Sequence, residues 1–197
     1  MSRIPPLSPA QWPADLAEAL GAAELSDLEL GPLRIFAHHP PIARAVAGLA
    51  GALRASGRLS PRLKELLRLR IAFHNQCRSC LAIRYADAVA EGVGEELVCE
   101  LADPAAAAEL SAAEKAALAF ADRFATDHLA IGDADYAELR LYFDEGELVE
   151  LGTWVAFCVG FGRLAATWDM TELLPEGFRE PSEGPVTPWA GRPVVVR

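Results

Sequence analysis

The sequence predicts an all-α, single-domain protein built as a bundle of seven to nine helices. Nearly every periodic segment spaces its apolar residues as a helix does. The chain has 197 residues, of which 52% are apolar, enough for a substantial core and too many for a disordered protein. No internal repeat and no shift in composition divides it. One helical domain follows from these observations.

Helix start signals place the elements of the first half. Residues 14–30 form a weak helical stretch that is interrupted at Gly21, and Pro41 opens a helix of small residues. Ser60 and Pro61 combine a capping side chain with a proline at the first helical position. The predicted helical segments of this half are residues 14–30, 41–56, 61–75 and 77–92.

Similar signals place the elements of the second half. Ser111 and Glu114 have the spacing of a capping box, and Asp133 is a predicted cap for the next helix. The predicted helical segments are residues 95–102, 111–124, 133–143 and 145–167. From Leu174 onward the chain is rich in proline and glycine, which predicts an irregular arm.

Charge and hydropathy exclude several classes of function. The formal net charge is −10, which argues against nucleic-acid binding because phosphates require a positive field. The N-terminus lacks an apolar stretch of signal-peptide length, and the longest uncharged apolar run, residues 151–161, is too short to span a membrane. We therefore expect a cytoplasmic protein, with a reducing environment around its thiols and no membrane partner.

One carboxylate stands alone in a basic stretch. Residues 31–84 carry nine arginines and one lysine, and Glu65 is their only acid. At helical spacing Lys64 and Arg68 share a stripe that we expect to be exposed, whereas Glu65 lies on another face, toward the cysteines. A desolvated carboxyl has a raised pKa unless a cation pairs with it. Glu65 is thus either a proton acceptor or donor, or half of a buried Glu–Arg pair.

The chain contains one C-x-x-C motif, formed by Cys77 and Cys80. These residues share a helical face and are able to close a small disulfide, and a helix N-terminus with nearby Arg78 and Arg84 would stabilise a thiolate. A zinc site requires two more Cys or His ligands at matching spacing, which the sequence lacks. We predict redox chemistry without a metal or other cofactor, the alternative being two buried thiols with no role.

Arg84 and His74 are the remaining polar candidates. Arg84 lies four residues after Cys80, so on a helix it would stabilise a thiolate or a carboxylate, although arginine does not shuttle protons. Histidine is a common proton relay in proteins, but the position of His74 opposite Glu65 favours a core histidine. The other two cysteines, Cys99 and Cys158, are predicted core residues.

At these residues the sequence resembles the carboxymuconolactone decarboxylase family, and within it the alkyl hydroperoxidase D type. The shared pattern is a Glu, eleven residues, C-x-x-C, three residues and a His. Here Glu65, Cys77 and Cys80 fit the pattern, and Arg84 stands in place of the His. The resemblance implies an N-terminal extension over residues 1–29, a family-type helical domain over 30–170 and a C-terminal arm over 171–197.

The resemblance also implies an activity. In that scheme Cys80 attacks a hydroperoxide, Cys77 resolves the product to a disulfide, and a dithiol protein or small thiol reduces the enzyme. Glu65 accepts the thiol proton, through the His in the family. The implied assembly is a homo-oligomer, either a dimer, a trimer or a hexamer.

The substitution at Arg84 keeps two alternatives open. In the first, the chain is a non-catalytic binding or assembly protein in which Glu65 and Arg84 form a salt bridge. In the second, it is a decarboxylase or lactone-processing enzyme in which Arg84 and Arg70 bind a carboxylate substrate.

Overall fold

The structure is a computed structural model that describes residues 1–179, 184–188 and 192–197. These residues form twelve α-helices, three short 3-10 helices and one two-stranded sheet, which confirms the helical fold class. The helices are α1 (Ala14–Ala19), α2 (Asp27–Leu30), α3 (Leu33–Phe36), α4 (Pro40–Ala55), α5 (Pro61–Asn75), α6 (Arg78–Leu81), α7 (Ala86–Ala90), α8 (Glu95–Glu100), α9 (Ala112–Thr126), α10 (Asp133–Leu139), α11 (Glu145–Trp168) and α12 (Glu176–Arg179). The strands are β1 (Ile83–Tyr85) and β2 (Val194–Val196).

Helix α5 lies at the centre of the bundle, packed by α11, α9, α6 and α7. It begins as predicted, with the Ser60 hydroxyl accepting the Leu63 N–H. The prediction that Lys64 and Arg68 lie on an exposed stripe is wrong, because both side chains are buried. Lys64 is neutralised by Glu150 of α11 at 2.7 Å. A charged stripe is therefore compatible with burial here because neighbouring elements supply its partners.

Helices α9 and α11 complete the main core. The capping box of Ser111 and Glu114 opens α9, and Asp144 caps α11. Within the described residues, α11 is the one helix long and apolar enough to cross a membrane, but Trp154 and Val155 are buried against the bundle. It packs against α5 and α9 as a core helix of the bundle.

The predicted helix over residues 77–92 is wrong as a continuous element. The chain instead forms α6, then β1, then α7. Two arginines donate hydrogen bonds to backbone carbonyls that would accept backbone N–H groups in a continuous helix. Arg68 donates to the carbonyls of Cys80 and Ile83. Arg84 donates to the carbonyls of Leu81 and Ile83. The backbone after the cysteines is therefore extended rather than helical.

The C-terminal segment covers the C-x-x-C region. Strand β2 pairs in parallel with β1, aligning Ile83 with Val194. The Gln76 side chain exchanges hydrogen bonds with the backbone of Val186, and Phe178 of α12 is completely buried beside Leu81. The arm is thus more regular than predicted, although its residues 180–183 and 189–191 lie outside the described ranges.

Candidate functional site

The two motif cysteines form a disulfide between the end of α5 and the start of α6. Their Cα atoms lie 5.2 Å apart. Cys77 is the N-cap of α6, and its sulfur accepts the Cys80 N–H at 3.3 Å. Cys77 is fully buried, whereas Cys80 is half-buried. A molecule that approaches this pair therefore meets Cys80 first.

Glu65 forms a buried ion pair with Arg68, one turn along the same helix. The guanidinium donates two hydrogen bonds of 2.7 Å to the two carboxylate oxygens. Its remaining donors reach the carbonyls of Cys80 at 2.6 Å and Ile83 at 2.9 Å. Burial opposes the charge of Arg68, but the adjacent Glu65 outweighs it and raises the pKa of Arg68. The guanidinium thus ties the Cys80 backbone to a buried ion pair with Glu65.

Arg84 does not lie where its spacing suggested. Its five N–H donors bind the Glu95 carboxylate, at 2.8 and 3.0 Å, and the carbonyls of Leu81, Ile83 and Pro188, each at 2.8 Å. Because β1 is a strand, the helical offset from Cys80 to Arg84 does not apply. The expected role in holding a thiolate and the expected Glu65–Arg84 salt bridge are both wrong. Arg84 instead fixes the backbone after the cysteines.

His74 is directed away from the cysteines, toward α9. Its Nε2 lies 2.7 Å from Asp122 Oδ1, and Arg70 makes two further hydrogen bonds to the same carboxylate. Burial opposes ionisation of Asp122, but these partners outweigh it and hold the pKa of Asp122 below its usual range. His74 and Arg70 therefore join α5 to α9, and the structure does not bring His74 to Cys80 as a proton relay.

Cys80 opens onto a cavity of about 800 Å³. Helices α4 and α11 and the segment from α1 to α3 form most of its wall, which is predominantly apolar. The lining residues nearest to the motif in sequence are Asn75, Ser79, Cys80 and Ile83, and Arg68 lines the cavity as well. A volume of this size suits a small organic molecule. Cys80 is thus a potential nucleophile on the wall of a ligand-sized pocket.

The two other cysteines occupy different environments. Cys158 is a buried free thiol on α11 that lines the same cavity. Burial raises the pKa of Cys158 to about 12, although Arg68 opposes this shift. Cys99 is exposed, so its prediction as a core residue is wrong.

The raised pKa predicts that Cys158 resists alkylation. Because burial raises the pKa of Cys158 to about 12, its thiol is almost entirely protonated at pH 8. We expect iodoacetamide to label Cys99 of the native reduced protein rapidly at this pH and to leave Cys158 unlabelled. Peptide mass spectrometry after timed quenching measures both sites. Equal labelling of Cys158 and Cys99 in the native protein would contradict the expectation, and denaturation should remove the difference.

The described residues contain no group of three or more His, Cys, Asp or Glu side chains placed to hold a metal ion.

A comparison with models of known protein families matches part of the chain. Residues 40–123, from α4 through most of α9, match the carboxymuconolactone decarboxylase family. This match spans less than half of the chain, so residues 40–123 are similar to that family. The matched part contains Glu65 and both motif cysteines, whereas α11 and the N-terminal wall of the cavity lie outside it.

Two curated relatives are uncharacterized proteins of Mycobacterium tuberculosis, from strains CDC 1551 / Oshkosh and ATCC 25618 / H37Rv. Each is 34% identical to this chain over 138 residues, covering 68% of the chain and 48% of the relative. The chain thus spans about half the length of the curated relatives it matches.

Solved structures share the fold of this chain. An alkylhydroperoxidase AhpD core structure, of an uncharacterized peroxidase-related protein from Ralstonia eutropha JMP134, has a TM-score of 0.74 and 22% identity, over 92% of this chain and 98% of that one. The debrominase Bmp8 C82A in complex with 2,3,4-tribromopyrrole has a TM-score of 0.64 and 20% identity, over 86% of this chain and 90% of that one. At such identities the likeness establishes the fold.

Sequence reasoning missed Arg68 as a residue of the site. Its spacing from Glu65, three residues along a helix, was a usable signal for an ion pair. That signal was overlooked because Arg68 shares a stripe with Lys64, which suggested exposure. Sequence reasoning also missed the cavity. The wall of this cavity combines α11 with segments that lie more than a hundred residues earlier in the chain.

Proposed function

We propose that this chain is a thiol-dependent hydroperoxide reductase of the alkyl hydroperoxidase D type, acting in the cytoplasm. The observation that carries the proposal is the placement of Cys80. It lies on the wall of an apolar cavity, and its disulfide partner Cys77 is buried directly behind it. This arrangement suits a cysteine that reacts with a ligand in the cavity and a second cysteine that resolves the product.

In the first step the Cys80 thiolate attacks the terminal oxygen of a hydroperoxide. An S–O bond forms, the O–O bond breaks, and Cys80 becomes a sulfenic acid. The alkoxide leaving group takes up the proton that the thiol released and departs as an alcohol. Cys80 is oxidised by two electrons and the hydroperoxide is reduced by two.

In the second step Cys77 attacks the Cys80 sulfur. The S–S bond forms, the S–O bond breaks, and the hydroxide combines with the Cys77 proton to leave as water. A dithiol protein or small thiols then supply two electrons and two protons, which regenerate both thiols and oxidise the reductant to a disulfide.

Arg68 holds the backbone of the proposed nucleophile. It donates to the Cys80 carbonyl, while its charge is paired with Glu65. Glu65 binds Arg68 through both carboxylate oxygens and accepts the Tyr85 N–H at 3.3 Å. We therefore assign Glu65 as a positioning residue for Arg68 rather than as the proton acceptor.

The two arginines expected to bind an acidic lactone are already occupied. Arg70 is paired with Asp122, and Arg84 with Glu95. A carboxylate substrate requires a cation that is not already neutralised. These ion pairs therefore favour the peroxidase over a lactone-processing activity.

The stoichiometry of oxidation tests the proposed function. The reduced protein has four thiols. One equivalent of cumene hydroperoxide should lower the titratable thiols to two and release one equivalent of cumyl alcohol, because one disulfide forms per hydroperoxide. Thiol titration of the denatured protein, in which Cys158 is also accessible, and chromatography of the alcohol measure the two products. An unchanged thiol count, or a rate no faster than that of free dithiol, would instead support the non-catalytic alternative.

A further inference from the structure

A row of aromatic rings lines the cavity along α11. The rings of Trp154 and Phe157 are stacked with centroids 6.3 Å apart and planes at 16°, and Phe157 and Phe161 lie 4.7 Å apart. Phe36 of α3 extends the row, with its centroid 6.1 Å from that of Phe161. We call these four residues the aromatic row. All four line the same cavity as Cys80.

The cations around this cavity are neutralised within the protein. Arg34 pairs with Asp27 at 3.0 Å, and Arg54 pairs with Asp87 at 3.4 Å. The third lining arginine, Arg68, is held by Glu65 as described above.

The remaining carboxylates of the cavity wall are also bound. Glu29 belongs to the capping box of Ser26, where hydrogen bonds from Ser26 lower the pKa of Glu29, and Glu172 accepts hydrogen bonds from Ser2. Among the described residues that line the cavity, each charged side chain thus has a partner in the protein itself.

We propose that the cavity selects an uncharged organic hydroperoxide that carries an aromatic group. This inference rests on the proposed function and names its substrate class. The substrate ring packs on the aromatic row, in the offset or edge-to-face contacts that aromatic pairs prefer, and the peroxide group faces Cys80. Binding energy from the ring, remote from the reacting oxygens, positions the peroxide for attack.

Two other classes of hydroperoxide fit this cavity poorly. Hydrogen peroxide has no apolar part, so it gains nothing from the aromatic row. A hydroperoxide that carries a carboxylate would bury this charge against an apolar wall whose arginines are already paired, and an unpaired buried charge is costly. We therefore expect the highest kcat/KM for cumene hydroperoxide. The values for hydrogen peroxide and for the para-carboxylate of cumene hydroperoxide should lie well below it.

Replacement of Phe157 tests the role of the aromatic row. Phe157→Ala should lower the ratio of kcat/KM for cumene hydroperoxide to that for hydrogen peroxide about tenfold, since one ring contact is lost. Phe124→Ala is the matched control, because Phe124 is also a half-buried phenylalanine of a long helix but does not line the cavity. It should leave this ratio unchanged.

A binding measurement separates the inference from the proposed chemistry. Calorimetry with cumyl alcohol, which cannot react, should show binding to the wild type and about tenfold weaker binding to Phe157→Ala. Equal ratios of kcat/KM for Phe157→Ala and the wild type would overturn the inference while leaving peroxidase activity intact. Absence of all turnover would overturn the proposed function, and failure of cumyl alcohol to bind would then overturn the ligand class as well.

Discussion

Replacing Cys80 by serine should abolish peroxide-dependent oxidation of a dithiol, with a loss of about a thousandfold or more in kcat/KM. A serine hydroxyl stays protonated at neutral pH unless a base activates it. Among the described residues, the two candidate bases near the motif are already occupied, because His74 is hydrogen-bonded to Asp122 and both Glu65 oxygens are held by Arg68. Coupled oxidation of the dithiol measures the residual rate.

The other cysteines supply the controls for this result. Cys77→Ser should still react once and then stop at the Cys80 sulfenic acid, which dimedone traps with a characteristic mass increase. Cys99→Ser should behave as the wild type, since Cys99 is an exposed free thiol that does not line the cavity. Turnover by Cys80→Ser equal to that of the wild type would contradict the assignment of Cys80 as the nucleophile.

Replacing Arg68 by methionine should lower the free energy of unfolding by about 3–5 kcal/mol. The change leaves the Glu65 carboxylate, only 2% exposed, without its cation. It also removes the hydrogen bonds to the carbonyls of Cys80 and Ile83, which lie in the segment that folds against the cavity. Denaturant titration followed by circular dichroism measures the difference.

A second substitution shows whether the loss arises from the buried charge. Adding Glu65→Gln to Arg68→Met removes the unpaired carboxylate, so the double variant should be more stable than Arg68→Met alone. Arg123→Met is the matched control, because its ion pair with Asp135 is largely exposed on the arginine side and should contribute little. If the double variant is no more stable than Arg68→Met, the missing charge compensation is not the cause.

Local signals in the sequence were sufficient for the long helices. Caps with specific chemistry, such as Ser60 before α5 and Ser111 before α9, indicated the starts of both helices correctly. The end of α5 and the extent of α11 were also close to the prediction. These features depend on neighbouring residues, which a sequence displays directly.

The parts that were wrong depend on contacts between distant residues. Spacing could indicate that Arg84 followed Cys80 by one helical turn, but not that β1 would replace the helix and direct Arg84 to Glu95. Likewise, Lys64 was expected to be exposed because its own helix offers no reason for burial. Its partner Glu150 lies far along the chain, so the helix pattern could not indicate the ion pair. The spacing of the sequence identified the two motif cysteines. It did not identify Arg68, which binds the Cys80 carbonyl.

The pairing of β1 with β2 also bears on how the protein is made. Ile83 is aligned with Val194, so the covering of the cysteine segment requires residues synthesised much later. At about 5–20 residues per second, a ribosome needs about 5–20 seconds to travel from one strand to the other. During that interval the segment after Cys80 lacks its parallel strand. The emerging chain therefore exposes its thiols to surrounding reductants before the fold around them is complete.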